Sequence, residues 1–267
     1  MSKIKSLSFI TALLIAGVSC QTEEITSIKK TVSEETLSQI SALGFSNKDV
    51  IPVEEGYLVE GDIILTEENL RSGFSGPNLR IAEVEQYRTT NLVAVNGSRT
   101  ITISIDGKLP ASYVAALDEM INRYNAEPLT IKFSRVASNA NIQIVRGNGS
   151  FLASAGFPTS SGNPHNQVQV NSRAIGNGSG AAFTSYVATI LAHEIGHCIG
   201  FRHTDYMDRS YSCGGSTSNE GTSTVGAILI PGTPSGPDAG SWMLACIGSN
   251  QNRPFNNNDK TALNTLY

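Results

Sequence analysis

His193-Glu194-Ile195-Gly196-His197-Cys198-Ile199-Gly200-Phe201-Arg202-His203 is the stretch that decides the reading, because it holds three of the chain's four histidines. On a helix, His193 and His197 lie one turn apart on the same face and can reach a single metal ion. Glu194 is rotated off that face, where it can take a proton from a water at the metal. Gly200 can leave the helix through a left-handed residue, which lets His203 swing back as a third ligand. Three protein nitrogens and an open position describe a catalytic zinc site, since a structural site would be closed by a fourth protein ligand.

The full pattern H-E-x-x-H-x-x-G-x-x-H is the metzincin signature. His193 to His197 resembles the HEIGH motif of the dual-action HEIGH metallopeptidases, a bacterial family typified by myxobacterial protease B. Arg202-His203-Thr204-Asp205 and Ser241-Trp242-Met243 are similar to that family as well, so the resemblance covers roughly residues 100–267. It implies one zinc ion at His193, His197 and His203, Glu194 as general base and acid, and a protein or peptide substrate. It also implies a methionine on a turn beneath the metal. Of Met1, Met120, Met207 and Met243, only Met243 follows a Gly/Pro-rich loop at a suitable distance. One position departs from the pattern: several clan members carry tyrosine two residues after that methionine, and here it is Ala245. The oxyanion-stabilising residue is left unassigned.

The fold class implied is α+β, a metzincin-like catalytic domain. It has a mixed twisted sheet, a backing helix, an active-site helix and a loop-rich C-terminal subdomain. Residues 100–105 alternate as a strand, Pro110 to Asn125 has helical apolar spacing, and strands are expected at 131–133, 142–145 and 167–171. The zinc-bearing helix spans Phe183 to Ile199, and a short final helix lies near 258–266. The strand Gln167–Asn171, or the loop before it, is the candidate sheet edge for peptide substrate. His165 is read as a surface residue and not as a fourth ligand.

Residues 1–20 read as a lipoprotein signal peptide: Lys3 and Lys5, an apolar stretch from Leu7 to Val18, then Gly17-Val18-Ser19-Cys20. The last tetrad resembles a lipobox with Gly17 in the usual leucine position, so Cys20 is a lipidation candidate. Plain secretion with a free Cys20 is the alternative. Both predict an exported protein; the lipid anchor would place it at the bacterial outer membrane, facing outward or released after processing. Export favours an oxidised cysteine pair among Cys198, Cys213 and Cys246. Cys213 and Cys246 share the loop-rich segment and are the favoured pair, other pairings being open.

Residues 21–99 read as a propeptide-like segment and linker before a catalytic domain at 100–267. Helical spacing over Val32–Leu43 ends at Gly44, and residues 50–65 alternate as extended chain. Within them, Val59-Glu60-Gly61-Asp62 resembles the Phe-x-Gly-Asp motif of astacin prosegments, where the aspartate ligates zinc in the latent enzyme. Val59 replaces the phenylalanine. Asp62 is thus a candidate latency ligand, and an ordinary turn acid is the competing reading. Arg71-Ser72-Gly73 and Gly76-Pro77 make 66–99 the expected place for activating cleavage.

The formal net charge of −4 gives no support to nucleic-acid binding. Calcium is common in secreted enzymes, but no Asp/Asn/Gly cluster here matches a calcium loop. A monomer is expected. Two other functions compete with a latent zinc endopeptidase: a non-catalytic surface lipoprotein or adhesin with structural zinc, and a cell-wall peptide hydrolase.

Overall fold

The computed structural model describes residues 31–43, 45–72, 86–220, 226–234 and 237–267. The chain divides into two compact units, Met1–Lys30 and Thr31–Tyr267. The first, with Lys3, Lys5 and Cys20, lies outside the described residues, as do Gly44, Gly73, Gly76, Pro77 and Arg80. Among the described residues, no helix is long and apolar enough to cross a membrane.

The second unit opens with α1 (Glu34–Ala42), a hairpin of β1 (Ile51–Val53) and β2 (Gly56–Val59), then β3 (Ile63–Thr66), α2 (Glu67–Ser72) and β4 (Tyr87–Arg88). There follow β5 (Arg99–Ile105), α3 (Ala111–Asn125), β6 (Ile131–Arg135), β7 (Ile142–Arg146), β8 (Ala153–Ala155), β9 (Gln167–Val170) and α4 (Ser172–Ile175). The last elements are α5 (Ala181–Ile199), α6 (Ser210–Cys213), β10 (Ile228–Leu229) and α7 (Asn257–Leu266).

Eight strands form one mixed sheet in the order β1-β2-β3-β8-β9-β7-β5-β6. β5 pairs in parallel with β6 and β7, β7 with β9 in parallel, and β9 with β8 antiparallel. β3 joins β8 in parallel through Ile63 and Ala155, with the Ala155 amide donating to the Asp62 carbonyl at 2.8 Å. The strand expected at the substrate-binding edge, Gln167–Asn171, is therefore interior. It lies between β7 and β8, because the short β8 interposes itself after the Gly/Ser-rich turn at 147–150.

Helix α3 backs the sheet beside α5. Its inward face, Tyr113, Ala116, Leu117, Met120, Ile121 and Tyr124, is buried at helical spacing. Tyr124 anchors the pair by donating from its hydroxyl to the Ala192 carbonyl of α5 at 2.8 Å. Helix α5 is buried on every side from Tyr186 to Ile199, as an all-round apolar helix must be. Its polar residues in that run, including Glu194, are thus carried into the interior and need partners there.

Helix α7 carries a capping box, Asn256 with Asp259. Asp259 also accepts from Gln86 Nε2 at 2.5 Å and from the Trp242 amide at 3.3 Å, which fixes the chain just before Met243. Burial pushes its carboxyl up to about 6.

Candidate metal centre

Helix α5 supplies His193, Glu194 and His197, and its ending supplies the third histidine. Gly200 sits at φ 111°, ψ 11° in the left-handed region. Its amide donates to the His197 carbonyl and the Phe201 amide to the Gly196 carbonyl, both at 2.9 Å. This Schellman arrangement turns the chain back on itself. His203 then faces the helix it has just left, its Nε2 being 3.2 Å from that of His197.

Gly196 has a different task. A Cβ there would lie 2.5 Å from Met243 Sδ, so its bare surface is what admits Met243 against the helix under the histidines. Met243 is buried, and its carbonyl accepts from the Thr204 amide at 2.8 Å, tying it to the residue after His203.

Asp62 is the fourth member. It follows the turn of Glu60 (φ 55°) and Gly61 (φ 90°) that joins β2 to β3. Its Oδ2 lies 3.1 Å from His203 Nε2 and 3.7 Å from His193 Nε2. One ligand atom from each of Asp62, His193, His197 and His203 falls within 4.8 Å of all the others.

The outward side of each ring fixes the inward one. His193 Nδ1 is 3.0 Å from the Trp242 carbonyl and His197 Nδ1 is 2.8 Å from the Phe201 carbonyl. A carbonyl only accepts, so in the neutral rings the proton is assigned to Nδ1 and the Nε2 lone pair points inward. Burial, then the neighbouring histidines, hold the His197 imidazole well below its usual pKa, which keeps it neutral. Burial opposes charge on His203 too, but Asp62 and Glu220 outweigh it and raise its pKa well above the ordinary value. His193 Nε2 and Asp62 Oδ1 are buried with no hydrogen-bond partner among the described residues. Three converging imidazole nitrogens, a carboxylate and orphaned buried donor atoms fit zinc, which takes N and O ligands in compact geometry.

Glu194 is buried, with Oε2 unpartnered, beside a cavity of about 240 Å3. Burial above all, with the Asp62 charge adding, raises its pKa well above the carboxylate range. The cavity runs from His193 and Glu194 to Leu152, Ile190, Leu244 and Ile247. Cys246 lines it as well and is joined to Cys213 by a disulfide, while Cys198 is free and buried. Ala245 has no side-chain donor, and its amide is spent on Asp205 Oδ1 at 2.9 Å.

His165 is not on the surface: it is 8% exposed, packed against Gly156, and lies outside the metal-ligand cluster. The close approach of Gly156, which the sequence pattern does not signal, makes room for it. Sequence reasoning also missed the polar cluster behind His203, formed by buried Glu60, Arg202 and Glu220 with half-buried Arg209 at its edge. The one available signal was composition, because Glu220 is the only charged residue between Arg209 and Asp238.

Fold and site together define a zinc metallopeptidase. A family model described as dual-action HEIGH metallo-peptidase matches residues 57–267, and the chain belongs to that family. No curated protein matches the sequence. Among solved structures, one of myroilysin is similar at 17% identity, covering 67% of this chain and 97% of that one, with a TM-score of 0.44. High choriolytic enzyme 1, a hatching-enzyme zinc protease of the medaka Oryzias latipes, is similar at 17% identity over 66% of this chain and 92% of that one, TM-score 0.35. These two likenesses fix no residue-by-residue correspondence.

Proposed function

We propose that the chain is an exported zinc endopeptidase made in a latent form, with His193, His197 and His203 as its metal ligands, Glu194 as its base and Asp62 as its lock. The observation that carries this reading is the cluster in which Asp62, His193, His197 and His203 meet, with Glu194 lining the cavity beside it. A zinc ion held by His193, His197 and His203 would supply Lewis acidity for a carbonyl and would acidify water to a pKa near 7 in favourable cases. Glu194, desolvated and beside His193, accepts the proton of the attacking water at its carboxylate and passes it to the leaving nitrogen. Met243 supports the helix from below. The cavity beside Glu194, lined by Leu152, Ile190, Leu244 and Ile247 together with Arg209 and Arg253, receives a substrate side chain.

Latency follows from where the segment before residue 100 runs. A carboxylate is a competent zinc ligand and would take the position that a water needs. The same segment places β3 alongside β8, so the strand that would otherwise offer its edge to a peptide is covered. Cleavage between residues 66 and 99 would free both. The leader and Cys20 support export with a lipid anchor that stays with the propeptide.

The test is Glu194→Gln in protein activated by proteolysis. It retains zinc and loses at least about 100-fold in turnover on casein, the lower end of what a general base contributes. Wild-type turnover in that variant would overturn the assignment. A surface adhesin with structural zinc would cleave nothing, and a cell-wall hydrolase would prefer peptidoglycan peptides to casein.

A further inference from the structure

His193 and His197 are fixed by the helix that carries them, and their Nδ1 atoms are met by backbone carbonyls. His203 stands on irregular chain beyond Gly200, where no helix sets its ring. Its Nδ1 is met instead by Glu220 Oε1 at 2.7 Å, from a residue seventeen positions further on. We propose that Glu220 is the positioning residue of the third metal ligand: its carboxylate holds the Nδ1–H of His203 and turns Nε2 toward the metal. The proposal rests on the three-histidine centre described above.

Glu220 is built into place. Its amide donates to the Tyr206 carbonyl at 2.8 Å, so the chain that leaves His203 returns to present it. Arg209 Nη1 lies 3.2 Å from Oε1 and Arg202 Nη2 3.6 Å from Oε2. The Arg202 guanidinium is itself buried, its Cζ 5.2 Å from the Phe45 ring centre and 5.4 Å from that of Tyr206. Two guanidiniums allow an ionised carboxylate to persist in this interior. Glu60, His203 and Glu220 also come close enough to suggest a second metal. The guanidiniums already supply the cations there, and the contact belongs to ligand orientation. A charged acceptor on the far nitrogen makes His203 a more basic ligand than its two carbonyl-bound companions, and such outer partners are worth about 10–100-fold in metal affinity.

The experiment uses the full chain loaded with zinc or cobalt, and the variants Glu220→Ala and Glu220→Gln. Chelator competition should show zinc binding weakened about 10–100-fold in Glu220→Ala. Glu220→Gln keeps an acceptor but no charge, and should weaken binding in the same direction. The visible absorption of the cobalt protein, which reports ligand geometry, should change in both. If Glu220→Ala fails to fold, as judged by circular dichroism, the isosteric Gln variant decides. A Gln variant with wild-type zinc affinity and cobalt spectrum overturns the proposal, even if its thermal stability has fallen. Wild type that binds no zinc would remove the three-histidine centre itself, a separate result.

Discussion

At the scale of single residues, the centre depends on two glycines as much as on its histidines. Gly200 is left-handed, and a Cβ there would also press within 3.0 Å of the Asn91 carbonyl. Gly200→Ala should cost about 1–3 kcal/mol of stability and displace His203, seen as a lower thermal midpoint together with weaker zinc binding. An unchanged midpoint and zinc affinity would contradict this account of the turn. Both the glycine and the three histidines were legible in eleven consecutive residues, because helical spacing and one turn residue fix their geometry. Glu220, Arg202 and Arg209 were not. Their contacts depend on how the chain after His203 folds back, and no local periodicity encodes that return.

At the scale of elements, α3 stands where its apolar spacing places it, α5 and α7 coincide with the helices expected at 183–199 and near 258–266, and the strands expected at 100–105, 131–133 and 142–145 fall within β5, β6 and β7. The strand at 167–171 was also legible, but its rank in the sheet was not. Strand order is a matter of long-range pairing, and the three-residue β8 carries too little pattern to announce itself. The Cys213–Cys246 bridge joins α6 to the cavity wall at the favoured pair of cysteines. It works beside a polar clasp, in which Ser212 Oγ donates to Asp205 at 2.5 Å and accepts from the Cys246 amide at 3.0 Å. With a sequence separation of 33 between the cysteines, loop closure is worth about 2–4 kcal/mol. Replacing both by serine should lower the denaturant midpoint accordingly and raise KM, because the wall at Cys246 loosens. A double variant with unchanged stability and KM would show that the clasp alone suffices.

At the scale of the whole molecule, β1, β2 and β3, all before residue 100, are woven into the sheet that serves the centre, so the proposed lock would be part of the structure that sets stability. The acid response of that structure should be set in part by His165, which burial holds down to about 4 against an ordinary 6.5. Above pH 6.5 it is neutral whether the chain is folded or not. Below that, the unfolded chain takes up a proton that the folded chain refuses, and stability falls as pH drops toward 4. Between pH 7 and 4.5 the wild type should lose roughly 2–3 kcal/mol that a His165→Phe variant, if it folds, does not. Equal losses in the two proteins by denaturant titration would place the acid sensitivity elsewhere.

The most direct test of the latent-peptidase account is casein cleavage by the zinc-loaded full chain, without proteolytic activation, in wild type, Asp62→Ala and the double variant Asp62→Ala/Glu194→Gln. The account predicts a silent wild type, activity on removal of the Asp62 carboxylate, and silence again in the double variant despite bound zinc. An Asp62→Ala protein that binds zinc and stays as silent as wild type would contradict the lock. A double variant as active as Asp62→Ala would contradict the base.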